Sequence, residues 1–163
     1  MPARQVIDIR GAQYELSVSI EASPHRVWRA LTDQLNSWWL PDFHMLGPES
    51  TVILEAWAGG RLYETCGDNE LLWYTVLAIE PEKALSMVGY CTPDFGGPMT
   101  TMLVVKLQRD GESTTLSITD ALYGRVTDAQ VESLQAGWTR LFTDGLKASL
   151  ESGSASSAGG TLA

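Results

Sequence analysis

Apolar and polar residues alternate along residues 13–21. The apolar positions are Tyr14, Leu16, Val18 and Ile20. A period of two is typical of a strand that buries one face. The pattern therefore predicts a first strand over residues 13–21.

Helical signals follow this strand. Ser23 and Pro24 are typical of a helix start, because a Ser side chain can accept from free backbone N–H groups and Pro fits the first turn. The apolar stripe of this helix is Val27, Trp28 and Leu31. A second short helix is predicted over residues 34–39, ending before Pro41.

Short apolar runs separated by turn-forming residues occupy residues 51–120. The predicted strands cover residues 51–57, 61–66, 70–80, 84–91, 100–109 and 112–120. Asp110 and Gly111 form a strong two-residue hairpin signal between the last two strands. Together with the first strand, these runs predict an antiparallel meander of seven strands.

The last predicted element is a long helix. Thr127 and Gln130 match a capping box, in which each residue satisfies a free N–H group of the other. Apolar residues then recur at steps of three and four, as expected of one buried helix face. They are Val131, Leu134, Trp138, Leu141 and Phe142, with Gly145 or Leu146 at the last position.

This order of elements predicts an α+β fold in which a curved sheet wraps around the terminal helix. Residues 13–151 are expected to form the single domain, preceded by an extension over residues 1–12. Residues 152–163 consist almost wholly of Ser, Gly and Ala and are predicted to be a flexible tail. The space between sheet and helix is either filled by side chains or open for a ligand, and this alternative decides the function.

The charge balance excludes some partners. Eleven Lys and Arg against twenty Asp and Glu give a net charge of -9, without a basic cluster. Nucleic acid and anionic membranes are therefore unfavourable partners. No apolar run is long enough to span a bilayer, and no apolar signal segment follows the start, so a cytoplasmic protein is expected. We expect it to be a monomer or a homodimer.

Catalytic motifs are absent from the sequence. It contains no glycine-rich nucleotide loop, no nucleophile elbow and no metalloprotease motif, so no cofactor and no catalytic residue is assigned. His25 and His44 are expected to face solvent rather than bind a metal. Cys66 and Cys91 are expected to be buried free thiols.

Two carboxyl groups are candidates for a site. Asp120 follows Leu116 and Ile118 on one strand face, so we expect it to point toward the mouth of the cavity. There its pKa would tend to be raised, and it could orient a polar ligand group or move a proton. The alternative is a surface residue that ends its strand. Glu64 carries the same two alternatives.

Large aromatic side chains could form a stacking wall for an aromatic or polycyclic ligand. The candidates are Trp57, Tyr63, Trp73, Tyr74, Tyr90 and Trp138. Ordinary core packing is the alternative for each of them. Trp138 is the strongest candidate, because it lies in the middle of the predicted helix between Leu134 and Leu141.

Several short blocks of the chain resemble a known superfamily in order and spacing. They are Ala22-Ser23-Pro24, Val27-Trp28-Arg29-Ala30-Leu31-Thr32-Asp33, Trp38-Trp39, Gly59-Gly60-Arg61 with Tyr63-Glu64, Glu80-Pro81 and Gly137-Trp138. Over residues 13–151 the chain resembles the START-like, birch-pollen-allergen-like superfamily. Within it, the chain is similar to the branch of the C-terminal domain of activators of the heat-shock-protein-90 ATPase.

The resemblance implies a helix-grip fold, with a seven-stranded sheet around the C-terminal helix and a cavity between them. Related domains bind hydrophobic ligands, cyclise polyketides or stimulate a chaperone, so the fold alone does not assign a function.

Binding of a hydrophobic or aromatic small molecule in this cavity is the favoured function. The predicted ligand-binding residues are Trp57, Tyr63, Trp73, Tyr90, Leu116, Ile118, Asp120, Leu134, Trp138 and Leu141. One alternative is a protein-interaction module similar to the chaperone-ATPase activators. Another, less favoured, is an enzyme similar to polyketide cyclases and aromatases that uses a pocket carboxyl.

Overall fold

The computed structural model describes residues 3–157, which form a seven-stranded antiparallel sheet with helices packed on one face. The strands are β1 (Arg10–Ile20), β2 (Thr51–Leu54), β3 (Arg61–Cys66), β4 (Asn69–Glu80), β5 (Ala84–Cys91), β6 (Met99–Asp110) and β7 (Ser113–Gly124). The helices are α1 (Pro24–Thr32), α2 (Asp128–Arg140) and α3 (Ala148–Ser157). The predicted α+β helix-grip fold with seven strands is confirmed.

Shorter helical pieces complete the chain. Leu35–Ser37, Pro41–Phe43 and Pro93–Phe95 are 3₁₀ turns, and the π-helical segment Leu141–Lys147 joins α2 to α3. Together, α2, the π-helical segment and α3 form the long C-terminal helix. In the part of the chain described, no helix is both long and apolar enough to cross a bilayer.

The sheet is an open meander with the first strand, β1, at one edge and β2 at the other. Each strand from β2 to β7 pairs with the next one in sequence, and β1 pairs with β7. The β1–β7 register runs from Arg10 opposite Gly124 to Ile20 opposite Thr114. Residues near the start of the chain therefore lie beside the last strand.

Alternation along the strands separates a buried face from an exposed one, as in β6. Met99, Thr101, Leu103, Val105 and Leu107 are buried in β6. The residues between them are more exposed, because successive side chains of a strand point to opposite faces.

Both predicted helix starts are confirmed. The Ser23 hydroxyl accepts a hydrogen bond from the Arg26 backbone N–H at 3.2 Å. Thr127 and Gln130 form the complete capping box, with distances of 3.2 and 3.0 Å. These local interactions set where α1 and α2 begin.

The two ends of the described chain are more regular than the sequence predicts. β1 begins at Arg10 rather than at residue 13, because the long partner strand β7 continues to Gly124 and offers backbone partners there. Residues 152–157 of the predicted tail continue α3. Extending an existing helix costs less than nucleating one. The remaining residues, 158–163, lie outside the described part.

The second predicted helix is only a 3₁₀ turn, Leu35–Ser37. Tertiary hydrogen bonds hold this segment instead: the Asn36 side chain donates to the Val52 carbonyl at 2.8 Å and accepts from the Val52 N–H at 2.9 Å. The strand predicted over residues 51–57 ends at Leu54, because the chain turns at Glu55. The Glu55 carboxylate accepts from the Arg61 backbone N–H at 3.0 Å.

Aromatic rings fill the centre of the space between sheet and helix. Trp38 lies 5.6 Å from Trp39 and 5.8 Å from Phe142, and Phe142 stacks on Trp138 at 5.8 Å between ring centroids. A void of about 30 Å³ lies among these rings and the sheet. Side chains therefore fill the middle of the space that the sequence left open to question.

Candidate functional site

A pocket of about 320 Å³ opens where β4 and β6 begin and β5 ends, with α2 opposite. It is lined mainly by apolar and aromatic side chains. The lining residues are Met45, Leu71, Leu72, Trp73, Tyr74, Tyr90, Cys91, Thr92, Phe95, Met99, Thr101, Leu134 and Trp138. The space between the sheet and the C-terminal helix is thus filled at its centre and open at this end.

The pocket wall depends on a glycine in β5. A Cβ atom at Gly89 would lie 2.5 Å from the Trp73 carbonyl oxygen and 3.0 Å from the Tyr74 ring. The absence of a side chain at Gly89 therefore leaves room for the Tyr74 ring against β5. In this position the Tyr74 ring centroid is 6.2 Å from that of Trp138 on α2.

Buried hydroxyl groups and one carboxyl lie at the inner end of the pocket. The Thr101 hydroxyl donates to Asp120 Oδ1 at 2.5 Å, and the Tyr14 hydroxyl donates to Asp120 Oδ2 at 2.6 Å. The Tyr74 hydroxyl lies 3.5 Å from Thr101 Oγ1. Asp120 is fully buried, while Thr101 and Tyr74 line the pocket. The carboxyl is thus connected to the pocket through Thr101.

Burial dominates the titration of this network. It raises the pKa of Asp120, although the hydrogen bonds from Thr101 and Tyr14 act in the opposite direction. Burial also raises the pKa of Tyr14, Tyr74 and Cys91, and the nearby Asp120 carboxyl adds to each of these shifts. These groups therefore favour their neutral forms more than they would in water.

A second buried carboxyl, Glu64 on β3, holds the loop that borders the pocket. It accepts hydrogen bonds from the Met45 N–H at 3.1 Å, the Leu46 N–H at 2.9 Å and the Ser50 hydroxyl. It also accepts from Trp73 Nε1 at 3.0 Å. Since Met45 and Trp73 both line the pocket, Glu64 positions two of its residues.

The pKa of Glu64 is shifted in the direction opposite to that of Asp120. Burial acts to raise it, but the hydrogen bonds from Ser50, Leu46, Trp73 and Met45 favour the carboxylate and lower the pKa below its ordinary value. The number of donors explains the difference, because Glu64 has four and Asp120 has two.

His44 does not face solvent, contrary to the prediction. Its side chain is 8% exposed, and its Nδ1 lies 2.7 Å from Ser50 Oγ and 3.7 Å from Glu64 Oε1. The loop folds over Glu64 and buries the imidazole with it. His25 is exposed, as predicted, and pairs with Glu82.

A neighbouring pocket of about 320 Å³ shares Trp73, Leu134 and Trp138 with the first. Trp39, Phe43, Ser133 and Gly137 line the rest of it. The indole of Trp138 therefore borders both pockets.

The predicted site residues fall into three groups. Trp73, Tyr90, Leu134 and Trp138 line the first pocket, and Asp120 lies behind it. The second group is fully buried in the core and absent from the lining of this pocket. It consists of Leu116, Ile118 and Leu141. The third group, Trp57 and Tyr63, lies elsewhere.

Trp57 and Tyr63 do not line the pocket. Trp57 is 59% exposed in the turn before β3. Tyr63 lies on the strand face opposite to Glu64, under the Arg61 guanidinium at 4.2 Å from the ring centroid. Alternation along β3 explains this placement, because Leu62 and Glu64 take the buried face.

Several pocket residues were missed by sequence reasoning. Thr101 and Met99 share the inward face of β6, so strand alternation contained the signal for both. Met45 and Phe95 lie in a loop and a 3₁₀ turn, which have no period from which an orientation could be predicted.

A curved antiparallel sheet that holds a long C-terminal helix, with an apolar pocket at one end, defines a helix-grip protein. Residues 21–151 match the family model of activator of Hsp90 ATPase homolog 1-like proteins. The chain therefore belongs to this family. A search of curated proteins finds no match.

Solved structures show the same fold at low sequence identity. The Mll3558 protein from Rhizobium loti is 18% identical, with a TM-score of 0.66, and the match covers 88% of this chain and 99% of that one. A protein from Rhizobium leguminosarum is 16% identical, with a TM-score of 0.67 and coverage of 90% and 99%. The Aha1 dimer from Colwellia psychrerythraea is 19% identical, with a TM-score of 0.60 and coverage of 86% and 96%.

Proposed function

We propose that this protein binds a hydrophobic or aromatic small molecule in the pocket between β4, β5, β6 and α2. The observation that carries the proposal is the open volume of about 320 Å³ with a mostly apolar lining and a few buried hydroxyl groups. Small-molecule sites have this composition and occupy about 300–1,000 Å³. The volume is at the lower end of this range, so a compact ring system suits it better than a long chain.

Aromatic side chains support an aromatic ligand in particular. Trp73, Tyr74 and Trp138 line the pocket together, and all three are at most partly exposed. Rings of this kind favour offset or edge-to-face contacts with another ring, worth about 0.5–1.5 kcal/mol beyond the buried area. Their placement therefore favours a flat ligand held between β4 and α2.

Two leucines of β4 offer a matched test. Leu72 lines the pocket and is 51% exposed, whereas Leu77 is 55% exposed and lies outside the lining. Leu72→Glu should weaken binding of the neutral fluorescent probe N-phenyl-1-naphthylamine by about tenfold, because a charge is added to an apolar rim. Leu77→Glu should leave its affinity unchanged. Probe fluorescence titrations measure both affinities, and circular dichroism checks that both variants fold.

Equal affinity of the two variants, or no probe binding to the wild-type protein, would contradict the proposal. Native mass spectrometry of the freshly purified protein supplies a second measurement, since a bound cellular compound would add a mass that denaturation removes. With neither a bound mass nor probe binding, a protein-interaction module becomes the better candidate. The family's description as activator of Hsp90 ATPase homolog 1-like proteins favours this alternative.

A further inference from the structure

We propose that the pocket selects an apolar ligand carrying a hydroxyl group, which binds between Tyr74 and Thr101, and that buried Asp120 sets this preference. The inference rests on the proposed function and names the chemical class of its ligand. Its basis is the order of hydrogen-bond donors and acceptors at the inner end of the pocket.

Asp120 determines the direction of the Thr101 hydroxyl. Both neighbouring hydroxyls donate to Asp120, as an ionised carboxylate requires because it only accepts, so the single hydrogen of each points toward the carboxyl group. Thr101 lies 2.5 Å from Oδ1, and Tyr14 lies 2.6 Å from Oδ2. Thr101 Oγ1 is left with free lone pairs and no free hydrogen.

Tyr74 does not satisfy these lone pairs well. Its hydroxyl oxygen is 3.5 Å from Thr101 Oγ1, whereas good O–H···O bonds measure about 2.5–3.0 Å. A ligand hydroxyl placed beside both oxygens would donate to Thr101 and accept from Tyr74. It would replace one long contact by two bonds of ordinary length.

The other hydroxyl and N–H side-chain groups of the lining are occupied or lie at the rim. Trp73 Nε1 donates to Glu64 at 3.0 Å, and the Thr92 hydroxyl donates to Asp94. Tyr90 is 68% exposed. Tyr74 and Thr101, at 5% and 6% exposure, are therefore the hydroxyl groups that a deeply bound ligand would meet.

Charge disfavours a ligand that carries a carboxylate. Within residues 3–157, no Lys, Arg or His forms an ion pair with Asp120. When Asp120 is ionised, no cation offsets its charge in this buried setting, where electrostatic interactions are strong. A carboxylate at the same place would be repelled and would offer no hydrogen to Thr101.

Three ligands with one ring system separate these effects. At pH 8, 2-naphthol should bind about tenfold more tightly than 2-methoxynaphthalene, which has no hydrogen to donate, and 2-naphthoate should bind most weakly. Isothermal titration calorimetry measures the three affinities.

Variants test the residues directly. In Asp120→Asn the amide can donate to Thr101, which frees the Thr101 hydrogen for the ligand and removes the charge. The preference for 2-naphthol over the ether should fall at least about threefold, and 2-naphthoate should bind more tightly. Tyr74→Phe, which keeps the ring, should reduce the preference for 2-naphthol without weakening the ether by the same factor.

Thr101→Val should likewise abolish the preference for 2-naphthol. Its matched control is Thr114→Val, because Thr114 is also buried in the sheet but donates to the Ala22 carbonyl at 2.7 Å, away from the pocket. This control should keep the wild-type ranking of the three ligands, and thermal unfolding checks that both variants fold.

The outcomes separate the two proposals. Equal binding of 2-naphthol and its ether to the wild-type protein, or an unchanged ranking in Asp120→Asn and Thr101→Val, would overturn this inference and leave the proposed function standing. Failure of all three ligands and of the fluorescent probe to bind would overturn both.

Discussion

Two carboxyl groups in the same core have opposite pKa shifts, and the residues around them explain why. Glu64 accepts from two backbone N–H groups, an indole N–H and a hydroxyl, whereas Asp120 accepts from two hydroxyls. Hydrogen bonds to the charged form offset the cost of burial at Glu64 but not at Asp120. The direction of the pKa shift of a buried acid therefore depends on its hydrogen-bond donors and not on its burial alone.

The lowered pKa of Glu64 predicts how it affects stability. Its folded-state pKa is below the unfolded value, so its contribution is present above the unfolded pKa of about 4.3 and is lost as the pH falls through the folded pKa. Glu64→Gln should lower the free energy of unfolding by about 1.5–3 kcal/mol at pH 7, and by less at pH 3. Urea unfolding at the two pH values measures this difference.

Glu49→Gln is the matched control, because Glu49 lies in the same loop and is exposed. It should change the free energy of unfolding by less than about 0.5 kcal/mol at either pH. An equal loss in both variants, or a Glu64→Gln loss that grows as the pH falls, would show that Glu64 does not anchor the loop as an ionised group.

At the scale of elements, the long C-terminal helix changes from α-helical to π-helical geometry in its middle, where it packs against the sheet and Trp38. The π-helical segment Leu141–Lys147 buries Leu141, Phe142, Gly145 and Leu146 against the sheet and the Trp38 segment. Such segments depart from the α-helical period and change which side chains face inward. The predicted stripe at steps of three and four found most of these residues because the departure is short.

Close packing of the helix against Trp38 depends on Gly145. A Cβ atom there would lie 2.6 Å from the Trp38 carbonyl oxygen. Because this oxygen belongs to the backbone, the clash is relieved only if the helix or the Trp38 segment shifts. Gly145→Ala should therefore lower the free energy of unfolding by about 1–3 kcal/mol, measured by urea titration.

Gly137 provides a control in the same long helix. A Cβ atom at Gly137 would approach nothing closer than Phe43 Cε1 at 3.8 Å. Gly137→Ala should be neutral or stabilise by up to about 1 kcal/mol, since Ala favours helix more than Gly. Stabilisation by both substitutions would mean that the contact at Trp38 does not limit the packing.

At the scale of the whole molecule, sheet order determines which parts are most securely held. β6 and β7 are long inner strands with partners on both sides, while β2 is a four-residue edge strand paired only with β3. The pocket lies between these two regions, beside β4 and β5. One of its sides therefore belongs to the stable part of the sheet, and the loop held by Glu64 belongs to the edge.

Native-state hydrogen exchange should show this gradient. The amides of β6 and β7 that are hydrogen-bonded to neighbouring strands should exchange only through global unfolding, because each of these strands belongs to two ladders. Amides of β2 should exchange through local opening at a lower free energy. Exchange measured by NMR across a range of denaturant concentrations separates the two routes, and equal exchange free energies would contradict the gradient.

The order of the elements, both helix starts and the buried faces of most strands could be predicted from the sequence, because they follow from interactions between residues close together in the chain. Thr127 and Gln130 are three residues apart, and strand alternation needs only neighbouring positions. The filled centre, the open end and the network around Asp120 were decided by tertiary structure. Tyr14 and Asp120 are separated by 106 residues and meet only because β1 pairs with β7. No local pattern predicts such a contact, so the residues that define the pocket are identifiable only from the packing of the sheet against its helix.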